Sequence, residues 1–251
     1  MAEARLPTVN NDVYEALDER WYDAQDDPVA LLRAESACRT PWVADAIRRA
    51  FGPASIRVLD VGCGAGFLSN SLAVHGHRVT GVDASARSLL VAARHDETRS
   101  VRYLVGDARR LPFAEAAFEV VCAMDFLEHV ESPEVVVAEA ARVLVPGGLF
   151  FFHTFNRSWL SWLVVIKGVE WFVKNTPRQL HVLHLFLTPE ELTHACNAAG
   201  LEIMELFGTR PELNFAFARM LKSGTVPPEL TFTRTRSTRL SYTGFARKGV
   251  A

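Results

Sequence analysis

The sequence predicts an α/β fold, a doubly wound sheet of seven strands whose last strands are antiparallel at one edge. Three observations predict it. From Ile56 to Phe155 short apolar runs alternate with helical stretches, the pattern of parallel strands joined by crossover helices. The first run, Val58-Leu59-Asp60-Val61, empties into Gly62-Cys63-Gly64-Ala65-Gly66, a turn that lets a ligand touch backbone at the carboxyl end of a buried strand. An acid, Asp83, closes the next run.

Residues 1–50 read as a helical cap. Tyr14, Leu17 and Trp21, then Leu31 and Leu32, then Trp42, Val43, Ala46 and Ile47 recur at helical spacing, with breaks expected at Asp26-Asp27-Pro28 and Thr40-Pro41. Trp21, Tyr22 and Arg39 are placed to help close a pocket and exclude water. A helix over 67–75 follows the glycine turn, then a strand over 78–83. Asp83 lies at the distance from the glycines where a strand-end acid meets a ribose diol, or it caps the next helix, a role Ser85 can also fill. The third strand, 101–105, runs into Gly106-Asp107-Ala108, where an acid and a small residue suit the amine and ring face of adenine, or make an ordinary turn.

The fourth strand, 118–125, leads to Phe126-Leu127-Glu128-His129-Val130 and a helix with Ser132 as N-cap and Pro133 in its first turn. Gly147-Gly148 turns the chain into a fifth strand over 149–155. Residues 156–187 then interrupt the pattern. Trp159, Trp162 and Trp171 stand in an apolar helix with Lys167, Glu170 and Lys174 on one narrow side. It is shorter than the roughly 20 apolar residues of a spanning helix and carries charges. It therefore packs on the protein, lies on a membrane surface, or lines an apolar channel. Thr188-Pro189-Glu190-Glu191 is a capping box for a helix closing at Gly200. Segments 201–207 and 240–245 read as the last strands, an antiparallel edge pair.

Composition narrows the function. With 251 residues, 49% of them hydrophobic, the chain can bury a full core. Its net charge of −2 argues against a dedicated nucleic-acid binder, and Arg234, Arg236 and Arg239 read as a solvated strand face. Cys38, Cys63, Cys122 and Cys196 show no metal or redox spacing, which predicts reduced thiols and a cytoplasmic setting. The acidic, polar start lacks the charged-then-apolar pattern of a secretory leader.

The evenly spaced Gly62, Gly64 and Gly66, with Asp60 upstream, resemble the first motif of class I S-adenosylmethionine-dependent methyltransferases, a Rossmann-like superfamily. Four further stretches make the chain similar to the ubiquinone-biosynthesis O-methyltransferases. These are Arg20-Trp21-Tyr22-Asp23, Met124 through Val130, Thr154-Phe155-Asn156-Arg157 with the tryptophans after it, and His181 followed by Phe186, Pro189 and Leu192. The resemblance implies one domain over 1–251: cap 1–50, cofactor-binding core 51–155, apolar insertion 156–187 and a C-terminal part of the sheet, 188–251. It implies S-adenosylmethionine held at Gly62, Asp83 and the Met124 backbone, with Arg39 on the cofactor carboxylate. Asp60, Gly64 and Gly66 of the first motif, and Asp107 and Ala108 by their chemistry, complete the expected cofactor set, although the run from Gly106 through Phe113 looks more like the broad small-molecule methyltransferases. Asp125 stands where the family usually has Glu, and Val182 follows His181 where a polar residue is usual.

The implied reaction is methylation of a phenol or catechol, the acceptor a lipid-tailed quinone precursor. A phenol needs its proton stabilised or removed before it attacks a sulfonium methyl. Two devices are available. His129, His153 and His181 are candidate bases, with Glu128 beside His129 as a further catalytic candidate. Alternatively Asp125, Glu128 and His129 hold Mg²⁺ or another divalent cation, as the resemblance implies. If the 159–173 segment lies on lipid, the protein is peripheral to the inner face of the membrane. Two other readings compete: methylation of a soluble natural product at O, N or C, and a dinucleotide-binding or cofactor-sensing module.

Overall fold

The structure, a computed structural model, describes residues 12–250. The polar start read for a missing leader lies largely outside them. One sheet of eight strands carries the fold, β1 (Arg57–Val61), β2 (Arg78–Asp83), β3 (Arg102–Val105), β4 (Phe118–Met124), β5 (Leu144–Phe155), β6 (Leu201–Pro211), β7 (Phe232–Thr235) and β8 (Ser241–Lys248). Their order is β3-β2-β1-β4-β5-β8-β6-β7, parallel through β5 and antiparallel beyond it.

Two departures from the predicted seven strands sit at that end. β8 inserts between β5 and β6, so the expected edge pair is interior, and the short β7 forms the edge. The sequence hid β7 because Phe232–Thr235 is too short and too polar to show a period. β5 also begins five residues earlier than expected. Gly147, at φ 78°, takes up the extra residues as an irregularity where the register against β4 jumps from Phe118↔Leu144 to Val120↔Leu149.

The central strands read as unbroken apolar runs because both faces are covered. On one face Leu59, Val61, Val121, Phe150 and Phe152 pack under helices Pro133–Val143 and Pro189–Ala198. On the other, Val58, Val120, Cys122 and Phe151 meet helices Val29–Phe51 and Phe67–Val74. The capping box forms as read: Thr188 accepts from the Glu191 amide, and Glu191 accepts from the Thr188 amide at 2.9 Å. Ser132 occupies the N-cap, yet its side chain makes no capping bond.

The cap differs from its sequence reading at one residue. Thr40-Pro41 does not break it; Val29–Phe51 is a single helix of 23 residues with Pro41 inside. A mid-helix proline removes one hydrogen bond and crowds the preceding turn. Burial of Ala30, Glu35 and Arg39 before it and of Trp42, Val43, Ala46 and Ile47 after it ties both halves to the protein, so tertiary packing outweighs the local cost. Pro41→Ala is therefore expected to stabilise the protein by about 2 kcal/mol. An unchanged or lower urea midpoint would show that the surrounding packing is fitted to the proline.

Candidate active site

The order of the strands reverses between β1 and β4, where successive crossovers run to opposite sides and leave a crevice at the carboxyl ends. A cavity of about 290 Å³ opens there, lined by the glycine turn, by Asp60 and Asp83, by Met124, Asp125 and Phe126, and by Tyr14 and Trp21 of the cap.

The turn's geometry needs glycine at two cavity positions. Gly62 has φ 68°, and a Cβ on it would collide with the Phe126 ring; Gly64 has φ 50°, and its Cβ would press on Trp21 at 3.2 Å. Asp83 clamps the turn: one oxygen accepts from the Gly64 amide at 2.8 Å and the other from the Ser85 amide at 2.8 Å. Ser85 itself caps the next helix by accepting from Ser88 at 3.0 Å. Asp60 accepts from Ser69 Oγ at 2.6 Å, and burial pushes its carboxyl up to about 7 against that bond. Gly66 opens helix Phe67–Val74 at φ 79° and packs on Tyr103 and Ala92, outside the cavity lining.

Three further predicted cofactor residues lie elsewhere. Asp107 is exposed and binds the Arg109 side chain at 2.8 Å and its amide at 2.9 Å, which holds the carboxyl below its usual range. It makes the ordinary turn, and Ala108 is buried in the core. Arg39 does not line the cavity either. The residue is 4% exposed, and its guanidinium forks onto both oxygens of Asp125, one contact at 2.9 Å, with Glu35 at 3.6 Å. The cap does supply a lid: Trp21 lines the cavity, and Tyr22 donates to the Ala65 carbonyl at 2.9 Å while stacking on His95.

A second cavity, about 670 Å³ and lined mainly by apolar atoms, meets the first along Tyr14, Leu32, Asp125 and His129. The insertion walls it: Leu163, Val164, Val165, Val169, Phe172 and Val173 line it, while Trp159 is 73% exposed on the outer side. The insertion is helical as predicted from Trp159 to Phe172, except that Trp162–Gly168 is wound as a π-helix, which residue spacing does not reveal.

His129 stands on the shared wall. Its Nε2 lies 3.5 Å from the Tyr14 hydroxyl, and its Nδ1 is buried without a partner among the described residues. Burial depresses it to about 4, so the ring is neutral. His181 lies 5.8 Å away between ring centroids and is depressed to about 3 by burial and then by His129. His153 is fully buried, bonded to Thr243 Oγ1 at 2.7 Å, and lines neither cavity. Glu128 accepts from Thr154 at 2.8 Å through one oxygen, has no partner for the other among the described residues, and is pushed up to about 8 by burial, then by Asp125. Tyr14, stacked on Trp21, is the residue that sequence reading missed; its seven-residue spacing from Trp21 was the available signal.

The proposed metal set does not assemble. Asp125 is committed to Arg39, Glu128 to Thr154, and His129 faces Tyr14. Among the described residues the donor group close enough to share a cation is Glu35, Asp125 and His153, and it surrounds the Arg39 guanidinium, which already supplies the positive charge. These donors do not fit a divalent ion.

Glu128 gives the site a pH signature. Its raised folded value means the folded chain keeps a proton that the unfolded chain loses above about 4.5. Its stabilising contribution is complete below that value and is lost as pH rises through about 8. Glu128→Gln cannot ionise, so its stability relative to the unmodified protein should climb across this window by on the order of a few kcal/mol. A difference flat with pH in paired denaturant titrations would refute the assignment.

Comparison with known proteins agrees with this architecture. Residues 59–152 match a family described as a methyltransferase domain. The ubiquinone biosynthesis O-methyltransferase of Aromatoleum aromaticum is 38% identical over 198 residues, 78% of this chain and 82% of the relative. The Bordetella bronchiseptica protein of the same description is 37% identical over 80% of this chain and 85% of its own. Among solved structures, magnesium protoporphyrin IX methyltransferase from Synechocystis, with bound S-adenosylhomocysteine, superposes with a TM-score of 0.64 at 16% identity, covering 96% of each chain. A [4+2]-cyclase superposes at 0.57 with 19% identity over 98% of each chain, so at this distance the likeness carries the fold alone. By its identity to those relatives over most of their length the chain belongs to the ubiquinone biosynthesis O-methyltransferases and is an S-adenosylmethionine-dependent methyltransferase.

Proposed function

We propose that the protein methylates a phenolic oxygen of a lipid-tailed quinone precursor, with the donor at the glycine turn and the acceptor in the apolar cavity. The observation that carries this reading is the common wall of Tyr14, Leu32, Asp125 and His129 between the two cavities. S-adenosylmethionine supplies a sulfonium methyl group, and its polar ends match the backbone and carboxylates of the smaller cavity. The larger cavity offers an apolar wall to a polyprenyl tail.

The residues here do three things. The insertion and the cap keep water from the acceptor, which favours attack on the methyl over side reactions. His129, neutral and with Nδ1 free, can take the phenolic proton as the oxygen attacks. Glu128, held protonated at neutral pH, adds no negative charge that would oppose formation of the phenolate. His181 lengthens the polar end of an otherwise apolar cavity.

With labelled cofactor and a short-chain demethylquinol, methyl transfer to the catechol oxygen is expected. His129→Ala should lower kcat by about 10²-fold or more with a smaller change in KM. Transfer to soluble phenols at equal kcat/KM, or none to any catechol, would favour the soluble-acceptor reading.

No helix among the described residues is long and apolar enough to cross a membrane. Trp159, Trp162 and Trp171 are nonetheless exposed, together with Leu213 and Phe215. Such a patch supports peripheral contact with lipid. Trp159→Ala combined with Phe215→Ala, both outside the cavity linings, should reduce co-sedimentation with lipid vesicles several-fold and leave transfer to a water-soluble catechol intact. Equal sedimentation of variant and parent would rule out this face.

A further inference from the structure

At the opposite end of the sheet from both cavities, three arginines open three adjacent parallel strands. Arg57 is the first residue of β1, Arg78 of β2 and Arg102 of β3. The register sets Arg57 opposite Arg78 and Arg102 opposite Thr80. Because side chains alternate along a strand, Arg78 and Thr80 share a face, and all three guanidiniums therefore leave the same face. Like charges directly opposed across strands destabilise a sheet.

Only part of this charge is answered. Arg57 is held by Glu119, at 3.1 Å through Nε and 2.5 Å through Nη2. Among the described residues Arg78 and Arg102 have neither an ion pair nor a side-chain hydrogen bond, and both are exposed. They line a depression of about 550 Å³ with Arg57, His77, Phe113 and Phe118, and no carboxylate lines it. The buried Nδ1 of His77 has no partner there either. The depression exists because the connection from β3 to β4 contains no helix, which leaves this face of β2 and β3 uncovered at its amino end.

We infer that this depression is a binding site for a phosphate-bearing small molecule, held by the Arg78 and Arg102 forks, with the Phe113 and Phe118 side accepting an apolar part of the ligand. Guanidinium forks match phosphate oxygens two at a time, and an anion placed between them turns a repulsion into two charge-assisted pairs. β1 and β2 run from this site to Gly62 and Asp83, yet the two ends share no lining residue, so the site is separate from methyl transfer.

The test uses the whole protein with pyrophosphate at constant ionic strength. At ten times its Kd, pyrophosphate should raise the melting temperature by roughly 3–5 °C. Arg78→Gln with Arg102→Gln should remove that rise and, without the anion at low salt, melt no lower than the parent. Arg78→Lys with Arg102→Lys keeps the charge but not the fork, and should bind at least threefold more weakly than the parent; Arg236→Gln should bind as the parent does. A rise that persists in the glutamine variant places the anion elsewhere and overturns the inference, as does an equal rise with sodium chloride alone. Binding of anionic phosphatidylglycerol vesicles through Arg78 and Arg102 that pyrophosphate does not displace would overturn it in favour of a lipid headgroup.

Discussion

A parallel sheet whose crossovers change direction between β1 and β4 cannot cover the carboxyl ends of those two strands, and the whole site follows from that opening. β1 delivers Asp60 and the glycine turn to one side of it. β4 delivers Met124, Asp125 and the short turn Leu127–His129 to the other. What remains open is closed by additions to the sheet, Tyr14 and Trp21 from the cap above the small cavity and residues 163–173 around the large one. The two cavities are thus neighbours because the strands that end in them are neighbours.

The buried pair of Arg39 and Asp125 explains the electrostatics beneath the opening. Two charges removed from water are tolerated when each satisfies the other, and loss of one partner from such a pair typically costs about 3–5 kcal/mol. Burial still pushes Asp125 and Glu35 upward, and Arg39 opposes both shifts. Thr209 and Ser241 extend the network: Thr209 donates to Glu35 at 2.5 Å and contacts Ser241 at 2.9 Å, joining the long cap helix to β6 and β8. A divalent cation at Asp125 would have to displace a guanidinium already seated with bidentate geometry, which is why a plausible cluster of acids and histidine in sequence is not a metal centre in space.

The sheet core was legible because each parallel strand is a buried apolar run between glycine or proline signals, and the glycine turn because its spacing is local. The placing of Asp83 beside that turn was legible for the same reason, being a fixed number of residues from it, while its clamp on the Gly64 amide was not. The metal set, Arg39 and Asp107 were not. Their partners are set by tertiary contacts that sequence spacing leaves open: Arg39 reaches Asp125 across 86 residues, and Asp107 is drawn to Arg109 two residues on. β7 and the π-helical turn escaped because neither imposes a period distinct from coil or α-helix over so few residues.

Glu128 and His129 are adjacent on one turn, and burial moves them in opposite directions, the acid up to about 8 and the imidazole down to about 4. Both shifts come from one cause, since a low-dielectric wall disfavours the charged form of either group. At neutral pH the pair therefore presents no net charge to the apolar cavity, and Asp125 on the same wall has its charge answered by Arg39. In the proposed reaction, a proton moved from a phenol to His129 creates charge only as methyl transfer consumes the phenolate. The same wall sets a limit on that transfer: an imidazole depressed to about 4 is a weak base, so its proton acceptance must be driven by the reaction itself rather than completed before it. In the proposed reaction this couples the proton to the methyl group and requires that the cavity stay dry, a demand that the apolar wall built by the insertion fits.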